Sequence, residues 1–225
     1  MVTQTVLSTL SRRKVLRYAG ASALAGFPAI HALASFQPGD PSLTSGGDGF
    51  WERDRWVWLK RPATGEEIKI VFWSGGQLIQ DAYEQISWFM RDVRFQRMLA
   101  AKDPIIKQSL NRGVITQAHL SPWVLMDPAL LDVLYAYCAW LAHAGVSGPV
   151  ILTSAFRHLI TNYMTEGAAR DSWHMKGGAA DIVVSGVKPD ALARFGRWLS
   201  GGGVGLYPTK GFIHLDRGRI RSWSG

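Results

Sequence analysis

Arg170-Asp171-Ser172-Trp173-His174-Met175-Lys176-Gly177-Gly178-Ala179-Ala180-Asp181, followed further on by Phe212-Ile213-His214-Leu215-Asp216, supplies two imidazoles and a carboxylate. Nitrogen and oxygen donors of this kind suit a single divalent zinc with three protein ligands and a fourth position left to water, the arrangement of catalytic sites. Structural zinc sites are usually closed by thiolates, and the chain has one cysteine, Cys138, so a closed thiolate site is excluded. The small residues between His174 and Asp181 let the chain turn tightly. Asp181 then starts a strand, and its side chain meets His174 from the preceding loop.

Working outward, Pro149-Val150-Ile151-Leu152-Thr153 reads as a buried strand that delivers Ser154-Ala155-Phe156-Arg157 at its end. Residues 158–171 read as loop and short helix. Pro189 to Leu199 is a helix, Gly201-Gly202-Gly203 a turn, and Val204–Tyr207 with Gly211–Asp216 a final hairpin. Upstream, Trp56–Arg61 and Glu67–Trp73 alternate as strands around the turn Pro62-Ala63-Thr64-Gly65. The spacing of Ile86, Phe89, Met90 and Val93 predicts a helix from Asp81 to Leu99. Asp127-Pro128 starts another, with Asp as cap and Pro in the first turn, and Gly145 ends it. Residues 101–125 read as an insertion or long irregular connection. The order of elements predicts an α+β fold, a small antiparallel sheet flanked by helices.

The first 34 residues read as an export leader. Ser11-Arg12-Arg13-Lys14-Val15-Leu16-Arg17 is a twin-arginine signal, and Ala32-Leu33-Ala34 offers a small-residue cleavage site. The apolar stretch between them, of about 15 residues and broken by Gly20, Gly26 and Pro28, falls short of the about 20 needed to span a bilayer. Residues 35–50 read as a flexible linker, and 51–225 as the functional domain. The expected address is the periplasm, with no membrane span in the mature form. A lone cysteine there forms no internal disulfide.

The formal charge of +8 falls to +4 once Arg12, Arg13, Lys14 and Arg17 leave with the leader. That mild excess is compatible with an anionic polymer such as peptidoglycan and argues against nucleic acid. The ten tryptophans read either as a wall for sugars or peptides or as core and surface filler.

The pattern Ser172-x-His174-x-x-Gly177-x-Ala179-x-Asp181, with His214 in a terminal strand, resembles the zinc peptidases of the lysostaphin, D-Ala-D-Ala metallopeptidase and hedgehog group. Within that group it is similar to twin-arginine-exported murein endopeptidases related to D-alanyl-D-alanine carboxypeptidases. The likeness runs from Trp58–Glu66 through Arg91-Asp92-Val93-Arg94 to Gly218–Trp223. It implies a hedgehog-like and D-Ala-D-Ala-peptidase-like fold, zinc held by His174, Asp181 and His214, and peptidoglycan peptide as substrate. It also implies that Arg157 stabilises the substrate carbonyl as it becomes tetrahedral. Read from the residues alone, Arg157 could equally form a plain salt bridge.

Part of the group carries a carboxylate three residues before the last histidine ligand; that position here is Gly211. Asp216 is the next carboxylate and shares a strand face with His214, so it is assigned proton handling, with orientation of a ligand or of an arginine as the alternative. Ser172 either contacts substrate or caps a turn; Asn162 either binds peptide or braces its loop. His158 is left outside the ligand set. Three functions fit: an endopeptidase cutting peptidoglycan cross-links, a D,D- or L,D-carboxypeptidase, and a zinc-stabilised binding module without turnover. Oligomeric state is not legible.

Overall fold

The computed structural model describes residues 49–225; the leader and nearly all of the linker lie outside them. The alternating stretch after Asp54 forms strand β1 (Arg55–Lys60), which turns through Pro62–Gly65 into β2 (Glu67–Ser74) and the short β3 (Gln77–Leu78). Helices α1 (Gln80–Phe89), α2 (Val93–Ala100), α3 (Pro104–Asn111) and α4 (Pro128–His143) follow. The rest is β4 (Val150–Ser154), α5 (Leu159–Tyr163), a 3-10 turn (Trp173–Lys176), β5 (Ala179–Val183), α6 (Pro189–Leu199), β6 (Gly203–Tyr207), β7 (Phe212–Asp216) and β8 (Arg221–Ser224).

All eight strands form one sheet in the order β3-β2-β1-β4-β5-β7-β6-β8. The α+β class holds, but the expected small antiparallel sheet is corrected: β1 pairs with β4 and β6 with β8 in parallel. A parallel pair needs a long crossover, and α1 to α4 provide it between β1 and β4. The hairpin expected to be final is followed by β8, an edge strand of four residues.

The helix expected over 81–99 is broken. Met90 and Arg91 leave α1, and Asp92 restarts the chain as α2, its carboxylate accepting the Phe95 amide at 2.9 Å. Residues 101–125 also hold more structure than expected. Asp103 accepts the Ile105 amide at 3.0 Å and Pro104 occupies the first turn of α3, the same device that Asp127 and Pro128 use to start α4.

Helix α4 is apolar almost all round because it is buried: Leu130, Leu134, Tyr137, Trp140 and Leu141 lie in the main core with Val57 and Leu59 of β1. Trp140 stacks on Phe195 of α6 at 4.2 Å between centroids. Cys138 is buried in the same helix, and burial pushes its thiol up to about 12, so it packs as an apolar side chain. No helix among the described residues is long and apolar enough to cross a membrane.

Candidate metal centre

The site is a row of side chains running across the sheet. Register places Ser154 of β4 opposite Asp181 of β5, Asp181 opposite His214 of β7, His214 opposite Gly205 of β6, and Gly205 opposite Trp223 of β8. Residues level with one another on neighbouring strands share a face, so Asp181 and His214 converge without a loop to position them. His174 arrives from the 3-10 turn, whose start is fixed by Ser172: its hydroxyl accepts the His174 amide at 3.3 Å.

His174 Nε2, His214 Nδ1 and Asp181 Oδ1 form a tight triangle. The two nitrogens are 3.2 Å apart, and the carboxylate oxygen lies 2.9 Å from His214 Nδ1 and 3.4 Å from His174 Nε2. Ligands at about 2.0–2.1 Å from a tetrahedral zinc are separated by roughly 3.3 Å, so the triangle has the size one ion requires. The other nitrogen of each ring is committed. His174 Nδ1 lies 2.6 Å from the Ala155 carbonyl and can only donate to it; His214 Nε2 donates to Asp216 at 3.0 Å. In the neutral rings both tautomers are thereby fixed with a lone pair turned toward the triangle, the support that metal-binding imidazoles ordinarily have; in the protonated, metal-free rings the same nitrogens donate to Asp181 instead. Donor types, spacing and tautomers fit a zinc ion.

Asp216 lies behind His214, not at the triangle. Its side chain is 1% exposed, and its oxygens take hydrogen bonds from His214, from the Gly218 amide at 2.7 Å and from two nitrogens of Arg221 at 2.8 and 3.0 Å. Arg221 reaches it by crossing over β6, where a Cβ at Gly203 would stand 2.7 Å from the Asp216 oxygens. Gly205 does the same for Trp223: a Cβ there would sit 2.6 Å from the indole, whose centroid is 5.4 Å from that of His214. Two glycines on one face of β6 thus let β8 contribute to a site two strands away.

The electrostatics follow from the contacts. Burial raises the Asp181 carboxyl, but hydrogen bonds from His174 and His214 outweigh it and hold the group well below the usual carboxylate range. Asp216 behaves likewise through His214, Arg221 and the Gly218 amide. For His214 burial works against the charge, and the bonds to Asp181 and Asp216 prevail, lifting it above its ordinary value.

Arg157 Nη2 lies 3.7 Å from Asp181 Oδ2 and donates to Ser154 Oγ at 3.2 Å; its Nη1 reaches Asn162 Oδ1 at 3.4 Å. Arg157 and Ser172 line the same cleft of about 460 Å³ as the triangle. Asn162 stands behind it, buried, holding Arg157 on one side and the Ala169 carbonyl at 3.0 Å on the other. His158 lies away from the triangle, caps α5 and stacks on Phe95 at 3.5 Å.

Gly211, the position where relatives in the wider group carry a carboxylate, has φ +76°. That backbone disfavours a side chain through its conformation and not through crowding, since nothing lies within 4 Å of where a Cβ would stand. Sequence reasoning missed Arg221 and Trp223. Their alternation along 221–224, in step with the Gly203-x-Gly205 alternation, was the available signal.

The model of the family described as peptidoglycan L,D-endopeptidase MepK matches residues 108–223. The peptidoglycan L,D-endopeptidase MepK of Escherichia coli strain K12 is 30% identical over 175 residues, covering 76% of this chain and 81% of that protein. The probable peptidoglycan L,D-endopeptidase MepK of Haemophilus influenzae is 36% identical over 104 residues, 44% of this chain and 55% of its own. With the ligand triangle inside the matched region, the chain belongs to the peptidoglycan L,D-endopeptidase MepK family of metallopeptidases.

Proposed function

We propose that this chain is a zinc-dependent murein endopeptidase that hydrolyses L,D peptide cross-links of peptidoglycan during wall remodelling. The carrying observation is the triangle of His174 Nε2, Asp181 Oδ1 and His214 Nδ1 with both opposite ring nitrogens tied to acceptors. The names of the relatives support the substrate and the bond type. The antiparallel run β5-β7-β6 carrying the ligand row supports the likeness to hedgehog and D-Ala-D-Ala peptidase folds.

In this reading His174, Asp181 and His214 hold the ion. When bound, zinc supplies Lewis acidity that polarises an amide carbonyl and makes water nucleophilic near neutral pH. Arg157, in the cleft wall beside Asp181, stabilises negative charge on the carbonyl oxygen. Asp216 keeps the His214 Nε2 proton in place and so leaves Nδ1 able to ligate; it is a positioning residue, and its buried, saturated carboxylate argues against the proton-handling role assigned from the sequence. Ser172 sets the turn that presents His174 and lines the cleft, and Asn162 braces Arg157 and the loop to Ala169 more directly than it meets peptide.

The site of action is the periplasm. Residues 1–34 act as a twin-arginine leader, 35–50 as a linker and 51–225 as the peptidase domain.

The test is digestion of cross-linked muropeptides by the mature protein, read by mass. Products that vanish with a chelator, return with zinc and are absent for His174→Ala are expected. A folded, zinc-loaded protein that releases nothing from any cross-link type would leave only a binding module.

A further inference from the structure

A second cavity, of about 560 Å³, adjoins the metal cleft, with Arg157 and Thr165 as common wall. The parallel pairing of Leu59 with Val150 and Lys60 with Ile151 creates it, because it brings the chain leaving β1 level with the end of β4. Arg61, one residue past the pairing of Lys60 with Ile151, falls level with Leu152, two residues short of Ser154 in the metal row, and lines this space together with Thr153 and Ser154. Five arginines line the space against two acids, Asp92 and Asp103. Both acids are occupied. Asp92 accepts the amides of Phe95 and His158 and the Thr161 hydroxyl, and Asp103 caps α3.

Among the arginines, Arg91 is bound to both oxygens of Glu66 at 2.9 and 3.0 Å, and Arg97 donates to the Ala63 carbonyl at 2.7 Å. Arg61 is different. It is 6% exposed, yet its Nε and Nη2 have no hydrogen-bond partner among the described residues. Burial, and then Arg91, lower its pKa to about 10, so the guanidinium stays charged at neutral pH. A buried charge with open donors is destabilising until something fills them. Nε and Nη2 are neighbours on one edge of the planar group, spaced for the two oxygens of a single carboxylate; both are closed to solvent, so a carboxylate reaches that edge as the side chain turns toward the cavity it lines.

We infer that Arg61 is the floor of a carboxylate subsite, which holds a free carboxylate of the peptidoglycan stem peptide while the scissile amide lies at the metal row. Arg94, exposed at the rim, draws the anion in. The inference rests on the endopeptidase reading and adds what selects its substrate: the charge state of the stem.

The experiment compares two cross-linked muropeptides, one with free stem carboxylates and one with those groups amidated, on the zinc-loaded mature protein. Wild type is expected to show a KM about tenfold lower for the free form, the scale of one charge-assisted bidentate contact. Arg61→Met raises the KM of the free form to that of the amidated one, leaves the amidated KM unmoved and changes kcat less than twofold. Arg61→Lys restores part of the preference, and Arg94→Ser weakens it less than Arg61→Met does; these two keep the test open should Arg61→Met fail to fold. A preference that survives Arg61→Met, or equal effects on both substrates, overturns the subsite. Calorimetric titration of the monomeric stem tetrapeptide, free and amidated, separates the two readings. Carboxylate-dependent binding without turnover rejects the enzyme and keeps the subsite; turnover with carboxylate-blind binding does the reverse.

Discussion

The metal row and the arginine cavity share Arg157 as a wall and are built on opposite terms. In the row the outer nitrogen of each imidazole and both oxygens of Asp216 are tied down, Asp216 by three partners and His174 by a backbone carbonyl. In the cavity Arg61 is buried just as deeply and has its forked edge unfilled. A group that must hold an ion at fixed distances is oriented in advance by the protein; a group that recognises a passing carboxylate is left for the ligand to complete.

Arg157 stands on the boundary, so its replacement is the sharpest way to break the contrast. Arg157→Ala is expected to lower kcat by about 10² to 10³ with zinc content unchanged, the effect of losing a donor that acts on developing charge. Loss of zinc instead would make Arg157 a support for Asp181, belonging to the row. A smaller effect is expected at Asp216. Asp216→Asn should weaken zinc binding by about 10- to 100-fold in competition with a chelator, with the fold retained. Intact affinity with lost turnover would return Asp216 to proton handling.

The mildest effect is that of pH on the metal-free protein. His214, lifted above its ordinary 6.5, contributes stability that is complete below about 6.5 and fades as pH rises through its folded value. Asp181 and Asp216, held below their ordinary 3.8, contribute stability above that value and lose it on acidification. Thermal unfolding without zinc should therefore be most resistant between about 3.8 and 6.5 as far as these groups decide it. Zinc binding at pH 6 should release about one proton, from His214, measurable by calorimetry in buffers of different ionisation enthalpy. Zinc uptake without proton release would mean that His214 is neutral in the metal-free protein.

Much of this was readable in advance where the signal is local. Asp127-Pro128 announces α4 and alternation announces β1 and β2, because caps and pleats depend on neighbours in sequence. Asp103-Pro104 carried the same announcement for α3 and was passed over amid Gly113 and Pro122. Asp92 hid the break between α1 and α2 because the apolar spacing continues across it. The three residues of the triangle were legible, and their second partners were not. Ala155 offers His174 a carbonyl through tertiary placement alone, and Arg221 reaches Asp216 only because β8 lies beside β6. The burial of Arg61 follows from a parallel pairing that no local pattern encodes.

That pairing has a consequence for how the protein can vary. Between Leu59 and Val150 the chain makes a detour of about ninety residues, and the entropy of closing such a loop grows only with the logarithm of its length, about 0.6 kcal/mol for each doubling. Lengthening the exposed turn after α3, at residues 112–114, should therefore hardly disturb the strands that the excursion joins. If the proposed subsite holds, substrate preference is expected to be tunable through this crossover, at Arg94, Arg97 and their neighbours, without any change at Asp181 and His214 on the far strands.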